Sequence, residues 1–331
     1  MITKILTMFI KFVFFCKFYI LIMLFISIVI PVYNSARIIP NLLLAIEKER
    51  IENNWELELI LIDDGSRDDS FEQIQRLSKQ YTYIKGIKLA RNFGHQIAVR
   101  TGLEHAKGRF IAIIDDDLQD PPFLIQQFIH KMKEGYDVAY GVRKKRKENI
   151  FKKSAYHLFY RFLNKIANIN IPLDTGDFCV MTNQVVEQML RFEEKNVYLR
   201  GIRAWVGFNQ IGIEYERNAR EVGESGYSLK KLLKIAKDGI FSFSNVPLRL
   251  ITIAGQIGLV AAISYSLYVI YLNLVNNIPV KGFSTITILI SFFSSLILIC
   301  LGIIGEYITR IYDEVRNRPH AIVANKIGFH E

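Results

Sequence analysis

Two long uncharged segments in the carboxyl-terminal part of the chain constrain its fold more than any other feature. Residues 250–272 read LITIAGQIGLVAAISYSLYVIYL and residues 282–304 read GFSTITILISFFSSLILICLGII, and neither contains a charged side chain. Each segment is long enough to cross the hydrocarbon core of a bilayer, roughly 30 Å, as a helix. A buried helix of a soluble protein is the alternative for one such segment, but two in tandem favour a transmembrane hairpin within residues 249–309.

Basic residues flank this hairpin on both outer sides. They are Lys230, Lys231, Lys234, Lys237 and Arg249 before it, and Arg310, Arg316 and Arg318 after it. The connecting residues 273–281 contain only Lys281. Since positively charged flanks stay on the cytoplasmic side, the pattern predicts a multi-pass protein of the cell inner (plasma) membrane. The residues before Arg249 and a tail at 310–331 would both lie in the cytoplasm.

Two further segments are both apolar and basic. Residues 228–248 combine lysines on one side with leucine and isoleucine on the other, which predicts an interfacial amphipathic helix leading into the hairpin. The extension 1–24 is apolar but interrupted by Lys11 and Lys17, so a third spanning helix there would be costly. No small-residue cleavage site of a signal peptide is evident. The extension is therefore either an interfacial anchor or a non-native start ahead of Met23.

The region from residue 25 to residue 141 alternates short apolar segments with helical ones. The predicted strands are residues 25–33, 57–62, 83–90, 109–114 and 137–141. Strands that alternate with helices predict an α/β fold with a doubly wound, mostly parallel sheet. Together with the residues that follow, this region predicts a cytoplasmic catalytic domain at 25–227.

Polar side chains follow three of the predicted strands. Asn34 follows the first, Asp63 and Asp64 follow the second, and the three aspartates at 115–117 follow the fourth. Ligands of doubly wound sheets bind at the carboxyl ends of the strands. One acidic turn alone is an ordinary cap or solvated strand end, but three that converge on one sheet edge indicate a binding site. Because packed carboxylates raise one another's pKa, a positive group is expected among them.

The order and spacing of these motifs resemble those of a known family. IVIPVYN, LIDDGSRDDS, RNFGHQIAVRTGLEHAKG and IIDDDLQDPP are similar to motifs of the family-2 inverting glycosyltransferases of GT-A fold. GVRKKRK, LDTGDF, RGIRAWVGF, GESGYSLKKL and GEYITRIYDEVRNRP resemble the polyisoprenyl-phosphate glycosyltransferases, a group that includes bactoprenol glucosyltransferases and dolichol-phosphate mannose synthase. The resemblance extends over residues 26–320, including the apolar hairpin.

This resemblance implies an enzyme, a hexosyltransferase. It would move a sugar with inversion from a nucleotide-diphosphate donor, with UDP favoured over GDP, to undecaprenyl phosphate, and the product would serve cell-envelope glycan modification. The lipid bilayer is an implied partner, as is a second copy of the chain in a homo-oligomer. Nucleic acid is not expected, although residues 143–153 are strongly basic, because no aromatic-basic binding module accompanies them. Two alternatives stay open: a membrane glycosyltransferase acting on a polysaccharide, and an inactive membrane-anchored protein that binds a sugar nucleotide.

By the same resemblance, Asp115 and Asp117 form a D-x-D metal motif and Gln119 supplies a third ligand. Mg²⁺ or Mn²⁺ held by these oxygens and by the donor's diphosphate would stabilise the charge that builds on the leaving group, which makes Asp117 catalytic. Asp115 would also lie beside the nucleotide sugar. Asp116 either contacts the ribose or is a spacer.

The resemblance puts the nucleotide-sugar pocket next to the metal motif. Its lining comprises Pro31, Tyr33 and Asn34 after the first strand, Asp63 or Asp64 after the second, and Arg91 in the R-N-F-G turn. Which of the two aspartates points inward depends on strand parity, which the sequence leaves open. A plain surface arginine is the alternative for Arg91.

Two residues are assigned to the reacting centre by resemblance: Asp177 in LDTGDF, and Arg143, which would meet a donor or acceptor phosphate. A lipid phosphate has a second pKa near ~6 and is mostly ionised at neutral pH, so it needs no strong general base. Asp177 would therefore orient the acceptor or the sugar, or take a residual proton, and a helix cap is the alternative. Many relatives carry arginine at Cys179 and glutamate at Phe123, and both departures bear on specificity.

Overall fold

The computed structural model describes residues 25–143, 175–195, 197–216, 246–275 and 282–329. The chain divides into two compact units. The described residues of the first unit are 25–143, 175–195, 197–216 and 319–329, and those of the second are 246–275 and 282–318. The predictions for residues 1–24, for the basic run after Arg143 and for most of the amphipathic segment 228–248 fall outside these ranges.

The first unit is built on one eight-stranded sheet, in the order β7-β5-β6-β4-β1-β2-β3-β8. The strands are β1 Phe25–Val32, β2 Glu56–Asp63, β3 Ile84–Leu89, β4 Phe110–Ile113, β5 Val138–Arg143, β6 Thr175–Thr182, β7 Gln210–Tyr215 and β8 Val323–Ile327. Strands β3, β2, β1 and β4 are parallel neighbours, and β5 is parallel to β7. The five predicted strands are all present, and the predicted α/β class with a mostly parallel sheet is confirmed.

Three strands were not predicted, and one of them shapes the site. Strand β6 lies antiparallel between β4 and β5, so the fifth predicted strand is not a parallel neighbour of the fourth. Because β6 runs in the opposite direction, its amino end lies at the edge where β4 and β5 have their carboxyl ends. Strand β8 pairs antiparallel with β3 and belongs to the first unit, whereas the prediction had only a tail at 310–331.

Helices cover both faces of the sheet. They are α1 Ile39–Glu52, α2 Ser70–Gln80, α3 His95–Leu103, α4 Leu124–Lys133, α5 Asn183–Leu190 and α6 Leu199–Trp205. Successive side chains of a strand point to opposite faces. In β1, Ile28 accordingly packs into a core that contains Phe128 of α4, and Val29 packs into a second core that contains Val99 of α3. The unbroken apolar strands are therefore explained by burial on both faces.

The second unit contains two long helices in contact, α7 Val246–Val275 and α8 Phe283–Val315. Among the described residues, one segment, Phe292–Val315, has the length and apolar character of a membrane span, and Leu250–Tyr265 is a shorter apolar helix. The two helices lie where the hairpin was predicted, and the number of crossings remains a prediction. Helix α8 continues past the predicted end at residue 304, because loss of apolar character does not stop a helix, and Arg310 and Glu306 pair one turn apart on it.

Candidate active site

The carboxyl edge of the sheet collects the predicted site residues from six adjacent strands. In sheet order these are Arg143 from β5, Asp177 near the start of β6, Asp115, Asp116 and Asp117 after β4, Tyr33 and Asn34 after β1, Asp63 and Asp64 from β2, and Arg91 after β3. In the β4–β6 pair, Ile113 lies opposite Cys179. Continuing that antiparallel register by two residues sets Asp115 opposite Asp177, which explains why two carboxylates so distant in sequence share one site.

The D-x-D segment forms a tight turn. Leu118 adopts a left-handed backbone conformation with φ of 55°, which is unusual for a branched side chain. The turn brings the backbone N–H of Gln119 within 3.1 Å of Asp117 Oδ1, to which it donates a hydrogen bond. Asp117 is buried and Gln119 is partly buried. The two predicted metal ligands at 117 and 119 therefore lie in one turn.

The electrostatics of this turn favour a cation. Burial raises the pKa of Asp115 to about 6, and the carboxylates of Asp177, Asp120 and Asp117 add to the effect against the opposing charge of His95. Burial also raises the pKa of Asp116. Carboxylate oxygens are the ligands that Mg²⁺ and Mn²⁺ take in proteins, so the donor set fits such an ion.

The protein alone does not complete a metal cage here. Among the described residues, no three Asp, Glu, His or Cys side chains form a group that could hold a metal ion. Mg²⁺ is commonly bound by one or two carboxylates together with substrate phosphates rather than by an all-protein cage. Asp115 and Asp117 therefore fit an ion that is held jointly with a diphosphate.

Asp116 fastens the loop that follows β1. Its Oδ2 accepts hydrogen bonds from the backbone N–H of Tyr33 at 3.3 Å and from the hydroxyl of Ser35 at 2.5 Å. Asn34, whose φ is 54°, extends the same network, since its side-chain oxygen accepts from the N–H of Arg67 at 2.8 Å. The role left open for Asp116 thus includes holding the β1 loop against the turn at residues 115–119, which we call the metal turn after its predicted ligands. Pro31 is buried within β1, and Tyr33 is 45% exposed at the loop.

The two aspartates at the end of β2 have different hydrogen-bond partners. Asp64 accepts hydrogen bonds from the backbone N–H groups of Phe93 at 2.7 Å and Gly94 at 2.9 Å, so both of its oxygens hold the turn after β3. Asp63 uses Oδ1 to accept from Ser66 N at 3.1 Å. Its buried Oδ2 has no hydrogen-bond partner among the described residues. Asp63 is therefore the better candidate for contact with a nucleotide.

Arg91 is not drawn into the carboxylate cluster. Its guanidinium lies over the ring of Phe93, 4.2 Å from the centroid, and donates to the carbonyl of Asn92 at 3.2 Å. The side chain is exposed. Contact between Arg91 and a nucleotide-sugar donor remains a prediction.

Asp177 is surrounded by donors from two helices. Arg200 of α6 donates through Nε at 2.7 Å and Nη2 at 3.2 Å, and Gln96 of α3 donates at 2.9 Å. His95 Nε2 lies 3.2 Å away. Although burial opposes the charged form, the positive charge of Arg200 and the hydrogen bonds hold the pKa of Asp177 well below its usual range. Asp177 is thus an ionised carboxylate with little capacity to accept a proton.

His95 joins Asp177 to the metal turn. Its Nε2 also lies 3.6 Å from Oδ1 of Asp115. Partial burial disfavours the charged ring, but the hydrogen bond to Asp177 and the charges of both aspartates raise the pKa of His95 to about 9. Gln96 accepts from the backbone N–H of Leu199 at 3.0 Å, which ties α3 to the start of α6.

Sequence reasoning assigned no role to His95, Gln96 or Arg200. Each lies within a motif that carries the family resemblance as a whole, without a role for the individual residue. The available signal was a His-Gln pair at the first turn of a helix that follows a parallel strand, because such turns open onto the ligand edge. Arg200 carried no comparable local signal.

Arg143 lies beside the start of β6. Its Nη2 is 4.0 Å from Oδ2 of Asp120, and the other oxygen of that carboxylate, Oδ1, accepts a hydrogen bond from the Tyr215 hydroxyl. A Cβ atom at Gly176 would come within 2.7 Å of Arg143 Nη2, so glycine leaves the guanidinium its space next to Asp177. Nε of Arg143 is buried without a hydrogen-bond partner among the described residues.

Cys179 contributes no positive charge to the site. The thiol is buried, and burial raises its pKa. Arg203, which contacts Cys179, is itself 3% exposed and lies 4.8 Å from the centroid of the Tyr140 ring. Arg203 therefore does not supply at the surface the positive charge that the family resemblance leads us to expect at position 179. Phe123, the second departure, is half exposed at the start of α4.

Two family profiles match the chain in sequence. Glycosyl transferase family 2 matches residues 27–190, and the GtrB C-terminal hairpin matches residues 246–311. The uncharacterized glycosyltransferase YkcC of Bacillus subtilis is 44% identical over 303 residues, 91% of this chain and 94% of that protein. The bactoprenol glucosyl transferase of Shigella phage SfII is 36% identical over 301 residues, 90% of this chain and 97% of that protein.

Solved structures are also similar to the chain. The mannosyltransferase PcManGT from Pyrobaculum calidifontis in complex with GDP-Man and Mn²⁺ is 16% identical, with a TM-score of 0.45 over 83% of this chain and 86% of that one. Glucosyl-3-phosphoglycerate synthase from Mycobacterium tuberculosis in complex with Mn²⁺ and UDP-glucose is 16% identical, with a TM-score of 0.43 over 64% of this chain and 75% of that one.

Proposed function

The chain belongs to glycosyl transferase family 2 and is a glycosyltransferase, and on that premise we propose that it transfers a sugar from a UDP-sugar to undecaprenyl phosphate with inversion. The product is a lipid-phosphate-linked sugar for modification of cell-envelope glycans. The observation that carries the proposal is the state of Asp177, which is buried, ionised and bound by three side chains. A site built around such a carboxylate suits an acceptor that arrives already ionised.

The acceptor half of the site supplies positive charge rather than a base. A phosphomonoester, with a second pKa near ~6, is mostly a dianion at neutral pH and attacks without losing a proton. Arg143, whose buried Nε has no hydrogen-bond partner among the described residues, and the cationic His95 would attract and orient that phosphate. A neutral sugar hydroxyl would need a general base, which Asp177 in this environment is poorly suited to be.

The donor half holds the nucleotide diphosphate. Asp63 keeps an acceptor oxygen for the base or ribose, and Tyr33 exposes its ring beside it on the β1 loop. Asp115 and Asp117 would hold Mg²⁺ or Mn²⁺ together with the diphosphate. When bound, that ion offsets the negative charge that develops on the departing nucleoside diphosphate. In-line attack of the phosphate oxygen on the anomeric carbon breaks the bond to this leaving group and inverts the configuration.

The apolar helices support a location of the enzyme at the membrane. Two relatives that match over nine-tenths of this chain are named bactoprenol glucosyl transferases, and the hairpin profile covers α7 and most of α8. A multi-pass anchorage in the plasma membrane, with the catalytic unit in the cytoplasm, would keep the site within reach of a lipid phosphate.

The test is transfer of label in membranes that contain the full chain. UDP-glucose, UDP-GlcNAc, UDP-galactose and GDP-mannose are each supplied radiolabelled, with Mg²⁺ and either undecaprenyl phosphate or undecaprenol. Label from one UDP-sugar should enter the organic phase with the phosphate and not with the alcohol. Asp117→Asn should abolish it, while Glu72→Gln, an exposed carboxylate on α2, serves as the matched control.

Two results would overturn the proposal. Label that enters a water-insoluble polymer instead of the organic phase would favour a polysaccharide acceptor. Donor binding with no transfer from any of the four sugars would favour a membrane-anchored binding protein.

A further inference from the structure

After α8 the chain returns to the first unit and completes its sheet. Residues 319–329, which we call the C-terminal brace, include β8, and β8 pairs with β3 from Gly86 opposite Ile327 to Leu89 opposite Val323. Beyond the strand, the carbonyl of Ile322 accepts the N–H of Ala90 at 2.8 Å. Ala90 is the last residue before the turn at 91–94. Backbone hydrogen bonds therefore join the brace to β3 and to Ala90, up to the residue where the turn begins.

The brace also packs against the apolar core to which helix α3 contributes. Val323 and Phe329 contact the apolar core that contains Val99 of this helix. The ring of Phe329 meets the edge of His105, just past the end of α3, with the centroids 5.4 Å apart. An edge strand that only shields β3 from aggregation would not need these contacts. The brace therefore shares a core with α3 and contacts His105, two residues past the carboxyl end of this helix.

Gly328 shows that the end of the brace is closely fitted. Its φ is 75°, a left-handed conformation that favours glycine. A Cβ atom there would lie 2.5 Å from the carbonyl oxygen of Ile84, the first residue of β3. The chain thus turns closely over the amino end of β3 before Phe329 reaches α3.

The turn and helix that the brace supports carry part of the active site. The turn donates the two N–H groups that Asp64 accepts, from Phe93 and Gly94. The first turn of α3 carries His95 and Gln96, which contact Asp177 at 3.2 and 2.9 Å. A shift at the root of this turn is passed to both residues, because backbone segments packed on a core move as units.

We propose that the C-terminal brace is a positioning element of the active site, which sets the turn at 91–94 and so holds His95 and Gln96 against Asp177. The inference rests on the proposed function for its catalytic consequence and adds to that function a segment that lies after the membrane hairpin in sequence. The brace touches no substrate. Its loss acts through the turn, and the metal turn after β4 and the β1 loop keep their own hydrogen bonds.

The first test compares full-length protein with a chain that ends at Arg318, which lacks the brace, and a control chain that ends at Phe329. Transfer to lipid phosphate should fall by about ten- to a hundredfold in the first and stay near wild type in the control, since a displacement of about 1 Å is enough to cost that much. Hydrogen exchange should rise in residues 90–98 and stay low in β1 and β4. Adding a synthetic peptide of residues 319–331 should restore part of the rate.

A second variant keeps the test decisive if the shortened chain does not fold. Ala90→Pro removes the N–H that Ile322 accepts and leaves the brace in place, while Ala90→Gly retains the N–H as a control. The proline variant should lose about tenfold in kcat with exchange rising only around the turn.

The outcomes separate the two proposals. Unchanged kcat and unchanged exchange at residues 90–98 in both variants would overturn the brace as a positioning element, as would exchange that rises evenly through the whole sheet. Failure of the proposed function appears instead as no transfer by the full-length chain, and the exchange measurement then still decides whether the brace holds the turn.

Discussion

The proposed donor and acceptor halves of the site are held together by different kinds of contact. In the donor half, Asp64 and Asp116 bind mainly backbone N–H groups of neighbouring loops. In the acceptor half, Asp177 is bound by three side chains from two helices, with no backbone group among these contacts. Backbone contacts depend on the fold, whereas side-chain contacts depend on residue identity. Apart from the proposed metal ligands Asp115 and Asp117, substitutions should therefore damage the acceptor half more sharply than the donor half.

Apart from Asp117→Asn, the largest effect is expected from Asp177→Asn. The amide keeps the shape but replaces one accepting oxygen with an NH2 group, which is a donor and faces the donors of Gln96 or Arg200. It also removes the negative charge that pairs with His95 and Arg200. We expect kcat to fall by about a hundredfold with a small change in donor KM. Initial rates over a range of donor and acceptor concentrations measure this, with Asp313→Asn, exposed on α8, as control. A normal kcat would show that the acceptor half does not depend on this charge.

Arg200→Lys should be the next most damaging change. Lysine keeps the positive charge but cannot make the bidentate hydrogen bonds that arginine makes with Asp177, so we expect kcat to fall by roughly tenfold to thirtyfold. The same assay measures it, and Arg76→Lys, exposed on α2, is the matched control. Equal rates for the two lysine variants would mean that charge alone, and not geometry, holds Asp177.

Asp64→Ala tests the donor half. It leaves the N–H groups of Phe93 and Gly94 without their acceptor, at a cost of about 1–3 kcal/mol. We expect a lower thermal midpoint and a higher donor KM, with Asp64→Asn intermediate because its amide oxygen still accepts one bond. A larger loss in kcat than that of Asp177→Asn would reverse the contrast between the halves.

Asp116→Ala should have a smaller effect on the same half. It removes the bonds from Tyr33 N and the Ser35 hydroxyl, and we expect donor KM to rise by about threefold to tenfold. Ser35→Ala removes only one of these bonds, and the double variant gives the coupling between the two residues. Strict additivity would show that the Ser35–Asp116 bond does not hold the β1 loop.

The smallest effect concerns His320 in the C-terminal brace. Burial, with the charges of Arg100 and Lys195 outweighing that of Glu193, lowers the pKa of His320 to about 4 from 6.5. The unfolded chain therefore binds a proton more readily, so stability is full above about pH 6.5 and is lost as the pH falls toward 4. The thermal midpoint should drop between pH 7 and pH 5, and less so in His320→Gln. His130→Gln, exposed on α4, should keep the full drop.

The same contrast explains what the sequence could predict. Asp63, Asp64 and the 115–117 cluster directly follow apolar strands, so local pattern and the geometry of parallel sheets were enough to bring them to one edge. Which of Asp63 and Asp64 is available to a ligand could be decided only from the structure, because it depends on which of their carboxylate oxygens are already hydrogen-bonded to neighbouring loops.

The acceptor half was accessible from sequence only through resemblance. Asp177 meets Asp115 because β6 runs antiparallel beside β4, and no local pattern encodes that register. Gln96 and Arg200 reach Asp177 from 81 and 23 positions away. Strands β7 and β8 have six and five residues, nearly all of them partly or fully exposed, so they are too short and too polar-facing to give a distinct period signal.

The position of β8 in the chain has a consequence for biosynthesis. Synthesis runs from the amino end, so β8 is made after both apolar helices of the hairpin. Until then β3 presents an unpaired edge, and a product interrupted within the hairpin keeps that edge and is prone to aggregate. The eight-stranded sheet is thus completed only in a chain that already contains both apolar helices, which makes the order of translation a checkpoint on assembly.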